Sequence, residues 1–238
     1  MLCLFLEKIS VLTMATTTQA SFLLPVSFAE RLALEDEIRI PATLDEYLEF
    51  AEQAEYKIEY SLGHIVSMGQ ATDAHELICP NIATILNNLF ADDPEFRVYG
   101  SNLGVFIPKT EAHYKPDVSV LRTAPQFKRH KVKSKTYKSV LNPLAVFEVY
   151  SDSTKEYDVS EKLPNYKQCE SLRYIVFVHQ NKPLATVYSR PDEKNVWQEQ
   201  QLEGLDSSFA FEGQIVSLKN VYKRVVFSGY NGKQKIKV

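Results

Sequence analysis

A glutamate inside an apolar run is the feature that most constrains the fold of this chain. Residues 144–150 read Leu-Ala-Val-Phe-Glu-Val-Tyr, with no alternation of polar and apolar positions. Such a run predicts a central strand that is buried on both faces of a sheet. A bare carboxylate at Glu148 would cost several kcal/mol there unless a cation or hydrogen-bond donors meet it. The residues alone leave a structural ion pair and a functional site equally open.

A second carboxylate, Asp117, is predicted at the end of a neighbouring strand. It follows Pro116 and precedes the apolar segment Val118–Leu121. Asp117 and Glu148 therefore form a candidate pair at the ends of two strands.

A helix predicted over Thr154–Gln168 follows the strand of Glu148 after a short loop. Asp158, Lys162 and Tyr166 recur in it every four residues and share one face. This helix can return Lys162 towards Glu148. Taken alone, the helix favours a simpler interpretation, in which Asp158 and Lys162 are a solvated pair worth a few tenths of a kcal/mol.

Helical and strand patterns mix along the rest of the chain without a strict β-α-β order. Thr43 and Glu46 form a capping-box pattern, and residues 56–60 and 64–68 predict a hairpin around Gly63. A helix is predicted over residues 73–90, with its buried side formed by Leu77, Ile82, Ile85, Leu86 and Leu89. Further strands are predicted at residues 96–99, 104–108, 116–121, 173–178, 185–189 and 196–200. This order predicts an α/β (α+β) fold with a central mixed β-sheet flanked by helices.

The length and composition favour one domain over residues 29–227. We expect residues 1–28 to be a weakly ordered N-terminal extension, in which Met14 is an alternative start, and residues 228–238 to be a flexible basic tail. Three widely spaced cysteines without a C-x-x-C pair favour a reducing cytoplasm. The apolar opening is too short to cross a bilayer, so no membrane partner is expected.

A net charge of -3 does not indicate nucleic-acid binding, so that role needs a local basic patch. Residues 128–138 contain six Lys or Arg and no acid, and are predicted to form a loop between the strands of Asp117 and Glu148. Four of these side chains could follow a nucleic-acid backbone, Lys128, Arg129, Lys131 and Lys133. A solvated, mobile loop is an equally good interpretation of the composition.

Several short segments follow one another in a specific order along the chain. They are Tyr56–Glu59 with Gly63, His75, Tyr114–Val118, Phe147–Ser151, Asp158, Lys162, Tyr166 and residues 173–178. In this order, across residues 43–189, the chain resembles the restriction-endonuclease-like family common in cyanobacteria, a branch of the PD-(D/E)XK nuclease superfamily.

The resemblance implies a restriction-endonuclease-like core and a hydrolase, an endonuclease that cleaves DNA with Mg²⁺ or Mn²⁺. It implies that Asp117, Glu148 and the Val149 carbonyl bind the metal. The superfamily's lysine, two residues after the glutamate, is replaced here by Tyr150, and Lys162 is the matching residue.

The resemblance also assigns Glu59 to the acidic catalytic pocket and lets His75 contact a phosphate or water. A homodimer is expected by analogy, because cutting both strands needs two sites. Two competing hypotheses remain. One is a catalytically inactive nucleic-acid-binding or oligomeric interaction protein on the same fold, and the other is a metal-free structural domain.

Overall fold

The computed structural model describes residues 24–34, 37–190 and 196–227. The chain divides into two compact units, and the boundary between them in the sequence follows Gly69. The predicted tail at 228–238 and most of the predicted extension at 1–28 lie outside the described residues, and the single-domain prediction stays a prediction. Among the described residues, no helix has both the length and the apolar character needed to span a membrane.

The N-terminal unit contains a three-stranded antiparallel sheet in the order β1-β3-β2. Thr43 and Glu46 form the predicted capping box at the start of α2. The predicted hairpin is present, although its first strand begins only at Glu59. Its two-residue turn, Leu62-Gly63, has φ angles of 49° and 76°, as a type I′ turn requires. The elements are α1 (Phe28–Leu32), β1 (Ile38–Pro41), α2 (Leu44–Phe50), β2 (Glu59–Ser61) and β3 (His64–Ser67).

The C-terminal unit is built on a six-stranded sheet in the order β13-β12-β11-β10-β7-β4. Its strands are β4 (Arg97–Gly100), β7 (Val118–Leu121), β10 (Ala145–Tyr150), β11 (Tyr174–His179), β12 (Leu184–Ser189) and β13 (Gln198–Glu203). Strand β10 is parallel to β11 and antiparallel to β7, and all six of its residues are buried. The predicted central strand and mixed sheet are therefore confirmed.

Helix α3 (Asp73–Leu89) packs against one face of this sheet. Its buried residues are Ile78, Ile82 and Leu86, at the four-residue spacing of one helical stripe. The prediction omitted Ile78. Leu77, Ile85 and Leu89 are only partly buried, although Ile85 and Leu89 pack against the core as predicted. These three flank the stripe, and apolar residues on both flanks made its centre ambiguous in the sequence.

The basic segment predicted as a loop is instead a β-hairpin. Strands β8 (Phe127–Val132) and β9 (Lys135–Val140) pair antiparallel, and β9 extends a small sheet containing β5 (Val105–Ile107) and β6 (Ala112–Tyr114). Lysine has a low strand propensity, which concealed the alternation of exposed and buried residues in β8. Pairing and the edge-on contact of His130 with Phe106, at 4.7 Å between ring centroids, stabilise the strand.

The helix predicted over residues 154–168 begins at Glu156, and its first part is a π-helix (Glu156–Lys162) that continues directly into α4 (Leu163–Lys167). The change of helix type falls beside Pro164, which has no N–H to donate to the preceding turn. Single-turn π-helices occur often at functional sites. The chain then closes with β14 (Ser208–Phe211), β15 (Gln214–Ser217) and α5 (Leu218–Val221).

Candidate active site

Strands β7 and β10 set the two candidate carboxylates opposite each other. Phe147 of β10 pairs with Val118 of β7 in the antiparallel register. The next pair in that register is Glu148 on β10 and Asp117, the residue just before β7. Directly opposed residues share a face of the sheet, with Cβ atoms roughly 4.5–5.5 Å apart. The Val149 N–H donates to Asp117 Oδ2 at 2.8 Å. Both carboxylates are buried, with 6% and 2% of Asp117 and Glu148 exposed.

Lys162 reaches Glu148 from the end of the π-helix. Its Nζ lies 3.0 Å from Glu148 Oε1 and 3.5 Å from Asp158 Oδ1. The Tyr166 hydroxyl, one helical turn later, donates to the same Glu148 oxygen at 2.6 Å. Glu148 therefore has both the cation and the donor that its burial requires. Two buried carboxylates, Glu148 and Asp158, contact the buried Lys162 ammonium, and a third, Asp117, is buried on the neighbouring strand.

Aromatic rings hold the Lys162 ammonium in place. Its Nζ lies 5.2 Å from the ring centroid of Tyr157 and 5.7 Å from that of Tyr114, which is within cation–π range. The Tyr114 hydroxyl accepts a hydrogen bond from Asn165 Nδ2 at 2.8 Å, and its ring meets that of Tyr166 edge-on at 5.1 Å. No sequence pattern indicated Asn165, and Tyr114 entered only as part of a segment that carries the family resemblance.

Tyr150 cannot replace the superfamily's lysine as a cation. Burial raises the pKa of its phenol, and the negative charges of Asp152 and Asp158 raise it further. The phenol therefore does not ionise to an anion near pH 7, and a tyrosine side chain has no cationic form that could replace an ammonium. Lys162 supplies the positive charge beside Glu148.

His75 lies against Asp117 from the first turn of α3. Its Nε2 is 3.3 Å from Asp117 Oδ2, and its Nδ1 is 3.4 Å from Glu76 Oε1. Cys79, one turn further along α3, places its Sγ 3.6 Å from His75 Nδ1 and 3.7 Å from His75 Nε2. Sequence reasoning missed Cys79, although its four-residue spacing from His75 was visible.

The other candidates occupy different places. Glu59 is buried in β2 of the N-terminal unit, where burial and the Glu59 charge raise the pKa of Tyr47. The assignment of Glu59 to the catalytic pocket stays a prediction. On the basic hairpin, Arg129 and Lys131 share an exposed face, Lys128 lies on the other face, and Lys133 lies in the turn with a φ of 52°.

The residues at the carboxylate pair fit a hard divalent cation. They offer carboxylate oxygens, which Mg²⁺ prefers. In a strand, the N–H and C=O of one residue face the same neighbour, so the Val149 carbonyl is directed to the side on which its N–H meets Asp117. Ser119 lies two residues after Asp117 on the same face, and its buried Oγ has no hydrogen-bond partner among the described residues. Buried hydroxyls of this kind are commonly bonded to an ordered water.

Changing Tyr166 to Phe is expected to lower the free energy of unfolding by about 1.5–3 kcal/mol, because the hydroxyl bonds a buried charged group. Urea denaturation measures this change. Tyr150→Phe is the matched control, since the Tyr150 hydroxyl makes no hydrogen bond to any of the described residues. A Tyr166→Phe effect no larger than that of the control would contradict the importance of this bond.

Comparison with known proteins agrees with this architecture. Residues 44–217 match the Uma2 family, described as "Putative restriction endonuclease". Two proteins of Synechocystis sp. are similar in sequence. "Uncharacterized protein sll1609" is 28% identical over 138 residues, covering 58% of this chain and 75% of that protein. "Uncharacterized protein slr1290" is 30% identical over 149 residues, covering 63% of this chain and 74% of that protein.

A solved structure, described as a putative nuclease belonging to DUF820 from Anabaena variabilis, has a similar fold. Its TM-score is 0.59 at 16% identity, over 78% of this chain and 100% of that chain. The predicted restriction-endonuclease-like fold is thereby confirmed. Together with the match over residues 44–217, this means that the chain belongs to the Uma2 family of restriction-endonuclease-like proteins.

Proposed function

We propose that this protein is a Mg²⁺-dependent endonuclease that hydrolyses phosphodiester bonds in DNA. The observation that carries the proposal is the contact of Lys162 Nζ with Glu148 Oε1, at 3.0 Å, beside a second buried carboxylate, Asp117. Two carboxylates and one ammonium at a strand end are the functional groups that phosphodiester hydrolysis needs. Membership of the Uma2 family supports the nuclease assignment.

Asp117, Glu148 and the Val149 carbonyl are the proposed metal ligands, and Mn²⁺ can replace Mg²⁺ because both prefer oxygen ligands. When bound, the ion lowers the pKa of a coordinated water and offsets the negative charge that develops on the phosphate. The Val149 N–H fixes the orientation of the Asp117 carboxylate through its 2.8 Å bond.

Lys162 and Tyr166 have separate roles in the proposal. Tyr166 fixes the orientation of the Glu148 carboxylate by its bond to Oε1. Lys162 donates to the phosphate oxygens as their charge grows in the transition state, an interaction that is strongest in a buried site. The two rings beside Nζ exclude water and keep the ammonium in place before the substrate arrives.

The basic hairpin supports DNA as the substrate. Arg129 and Lys138 lie directly opposite each other on its exposed face, an arrangement that is destabilising without an anion nearby. Strand β8 is three strand spacings from β6, and β6 carries Tyr114, one of the two rings beside Lys162 Nζ. The basic face therefore lies roughly 14 Å to the side of that strand. A nucleic-acid backbone could contact both places.

Changing Arg129, Lys131 and Lys138 together to Gln is expected to weaken DNA binding equally for different sequences. The slope of log affinity against log salt should fall by about one for each phosphate that the variant no longer neutralises. Fluorescence anisotropy at several salt concentrations measures the DNA affinity and its salt dependence. A control with Lys219, Lys223 and Arg224 changed to Gln removes the same charge elsewhere, and equal slopes for the two triple variants would exclude the hairpin as the DNA-binding surface.

The function itself is tested by plasmid cleavage with Mg²⁺, Mn²⁺ or EDTA, together with calorimetric titration of each metal. Wild-type protein should bind the metal and convert supercoiled DNA, and Glu148→Gln should do neither. If wild-type protein shows neither binding nor cleavage, the inactive binding protein becomes the better hypothesis. A homodimer, which we include in the proposal, should give linear product without accumulation of nicked circles, and sedimentation should show two chains.

A further inference from the structure

The proposed nuclease chemistry makes no use of Cys79, although this side chain lies in the same cluster as Asp117. Donor atoms of His75, Cys79 and Asp117 all lie within 4.8 Å of one another. His75 and Cys79 come from adjacent turns of α3, and Asp117 comes from the residue before β7. One imidazole, one thiol and one carboxylate therefore converge from two rigid elements.

Two separations measured from His75 Nε2 are close to the edges of a tetrahedral metal site. Zinc–ligand bonds of about 2.05 Å to nitrogen, 2.1 Å to oxygen and 2.3 Å to sulfur give N···S edges of roughly 3.6 Å and N···O edges of roughly 3.4 Å. His75 Nε2 lies 3.7 Å from Cys79 Sγ and 3.3 Å from Asp117 Oδ2. One nitrogen thus stands at suitable distances from both other donors. Cys79 Sγ is equally near Nδ1, at 3.6 Å, so the Cys79 side chain must rotate towards the Nε2 lone pair when an ion binds.

The surroundings also resemble those of a metal-binding histidine. His75 Nδ1, the nitrogen away from Asp117, lies 3.4 Å from Glu76 Oε1, and metal-binding histidines commonly direct their second nitrogen to a carboxylate. Asp117 is held in turn by the Val149 N–H. His75 and Cys79 are only partly buried, so an ion has a path to the site.

We propose that His75 Nε2, Cys79 Sγ and the Asp117 carboxylate bind Zn²⁺ or an ion of similar softness, with the fourth position left to water. Thiolate and imidazole select such ions over Mg²⁺. Because Asp117 is shared with the proposed Mg²⁺ site, Zn²⁺ binding excludes Mg²⁺ and stops cleavage. This second consequence rests on the proposed function, whereas the binding itself does not.

Co²⁺ serves as the spectroscopic probe of the full-length, reduced protein. We expect one Co²⁺ per chain, a thiolate-to-cobalt charge-transfer band, and displacement of Co²⁺ by Zn²⁺. Cys79→Ser should remove the band and weaken Co²⁺ binding by more than about 100-fold. Loss of a residue that only supports a metal ligand weakens binding by at most about that factor. Cys169→Ser and Cys3→Ser should keep the band. Circular dichroism of each variant shows that it is folded.

The Glu148→Gln variant separates this proposal from the proposed function. It should lose cleavage and keep the cobalt band, since Glu148 is outside the His75–Cys79–Asp117 group. In wild-type protein, Zn²⁺ should inhibit Mg²⁺-dependent cleavage at lower concentration than in Cys79→Ser, each measured against its own uninhibited rate. A wild-type protein without the band, or a band that survives in Cys79→Ser, overturns the zinc site whether or not the protein cleaves DNA.

Discussion

Lys162→Met is expected to lower the free energy of unfolding by about 3–5 kcal/mol, the cost of removing one partner of a buried ion pair. Only 3% of Lys162 and 2% of Glu148 are exposed, so water cannot replace the missing ammonium. Methionine has a similar length and fills the space between the rings of Tyr114 and Tyr157. Urea denaturation at neutral pH measures the loss, and cleavage activity should disappear with it.

A double-mutant cycle with Glu148→Gln tests whether the cost comes from the ion pair. When residue 148 is neutral, Lys162→Met no longer leaves that buried charge without its cation, and its cost should be clearly smaller. If Lys162→Met costs less than about 1 kcal/mol, as for an exposed pair, the buried pair does not have the importance that its geometry implies. Equal costs in the two backgrounds would attribute the loss to packing and to the Lys162 contact with Asp158, and not to the pair with Glu148.

Asp117→Asn is expected to reduce Mg²⁺-dependent cleavage by at least about 100-fold. Metal stabilisation of a transition state is worth several kcal/mol, and each 1.4 kcal/mol is a factor of ten in rate. The folded state should be as stable as the wild type or more stable. Asparagine keeps an oxygen for the Val149 N–H, and the substitution removes one of two like charges at opposed positions.

Cleavage kinetics and urea denaturation of the same preparation distinguish loss of function from loss of fold. Asp206→Asn, on the exposed turn before β14, removes an equal charge and should change neither quantity. If Asp117→Asn retains full Mg²⁺-dependent cleavage, the assignment of Asp117 as a metal ligand is wrong. If it unfolds the protein, Asp117 has a structural role that the proposed function does not include.

The elements that could be predicted are those whose cause is local in sequence. The capping box at Thr43 needs only a residue three positions later, and the turn at Gly63 needs only a positive φ. Strand β10 was predictable because an unbroken apolar run suits only a strand that is covered on both faces. The basic hairpin was missed because its stability comes from the pairing of β9 with β5 and from the contact of His130 with Phe106, which no local pattern shows.

From the amino-acid sequence alone it follows that Glu148 needs a cation or hydrogen-bond donors, because burial of a bare carboxylate is costly in any fold. The sequence also shows which residues could share a helix face with Lys162. The contact of Lys162 and Tyr166 with the same Glu148 oxygen depends on the folded chain, because it is made through a π-helix that the four-residue spacing does not predict. The contacts of His75 and Cys79 at Asp117 likewise depend on the folded chain. These contacts join separate elements, and the packing of α3 and the register of β7 with β10 set their distances.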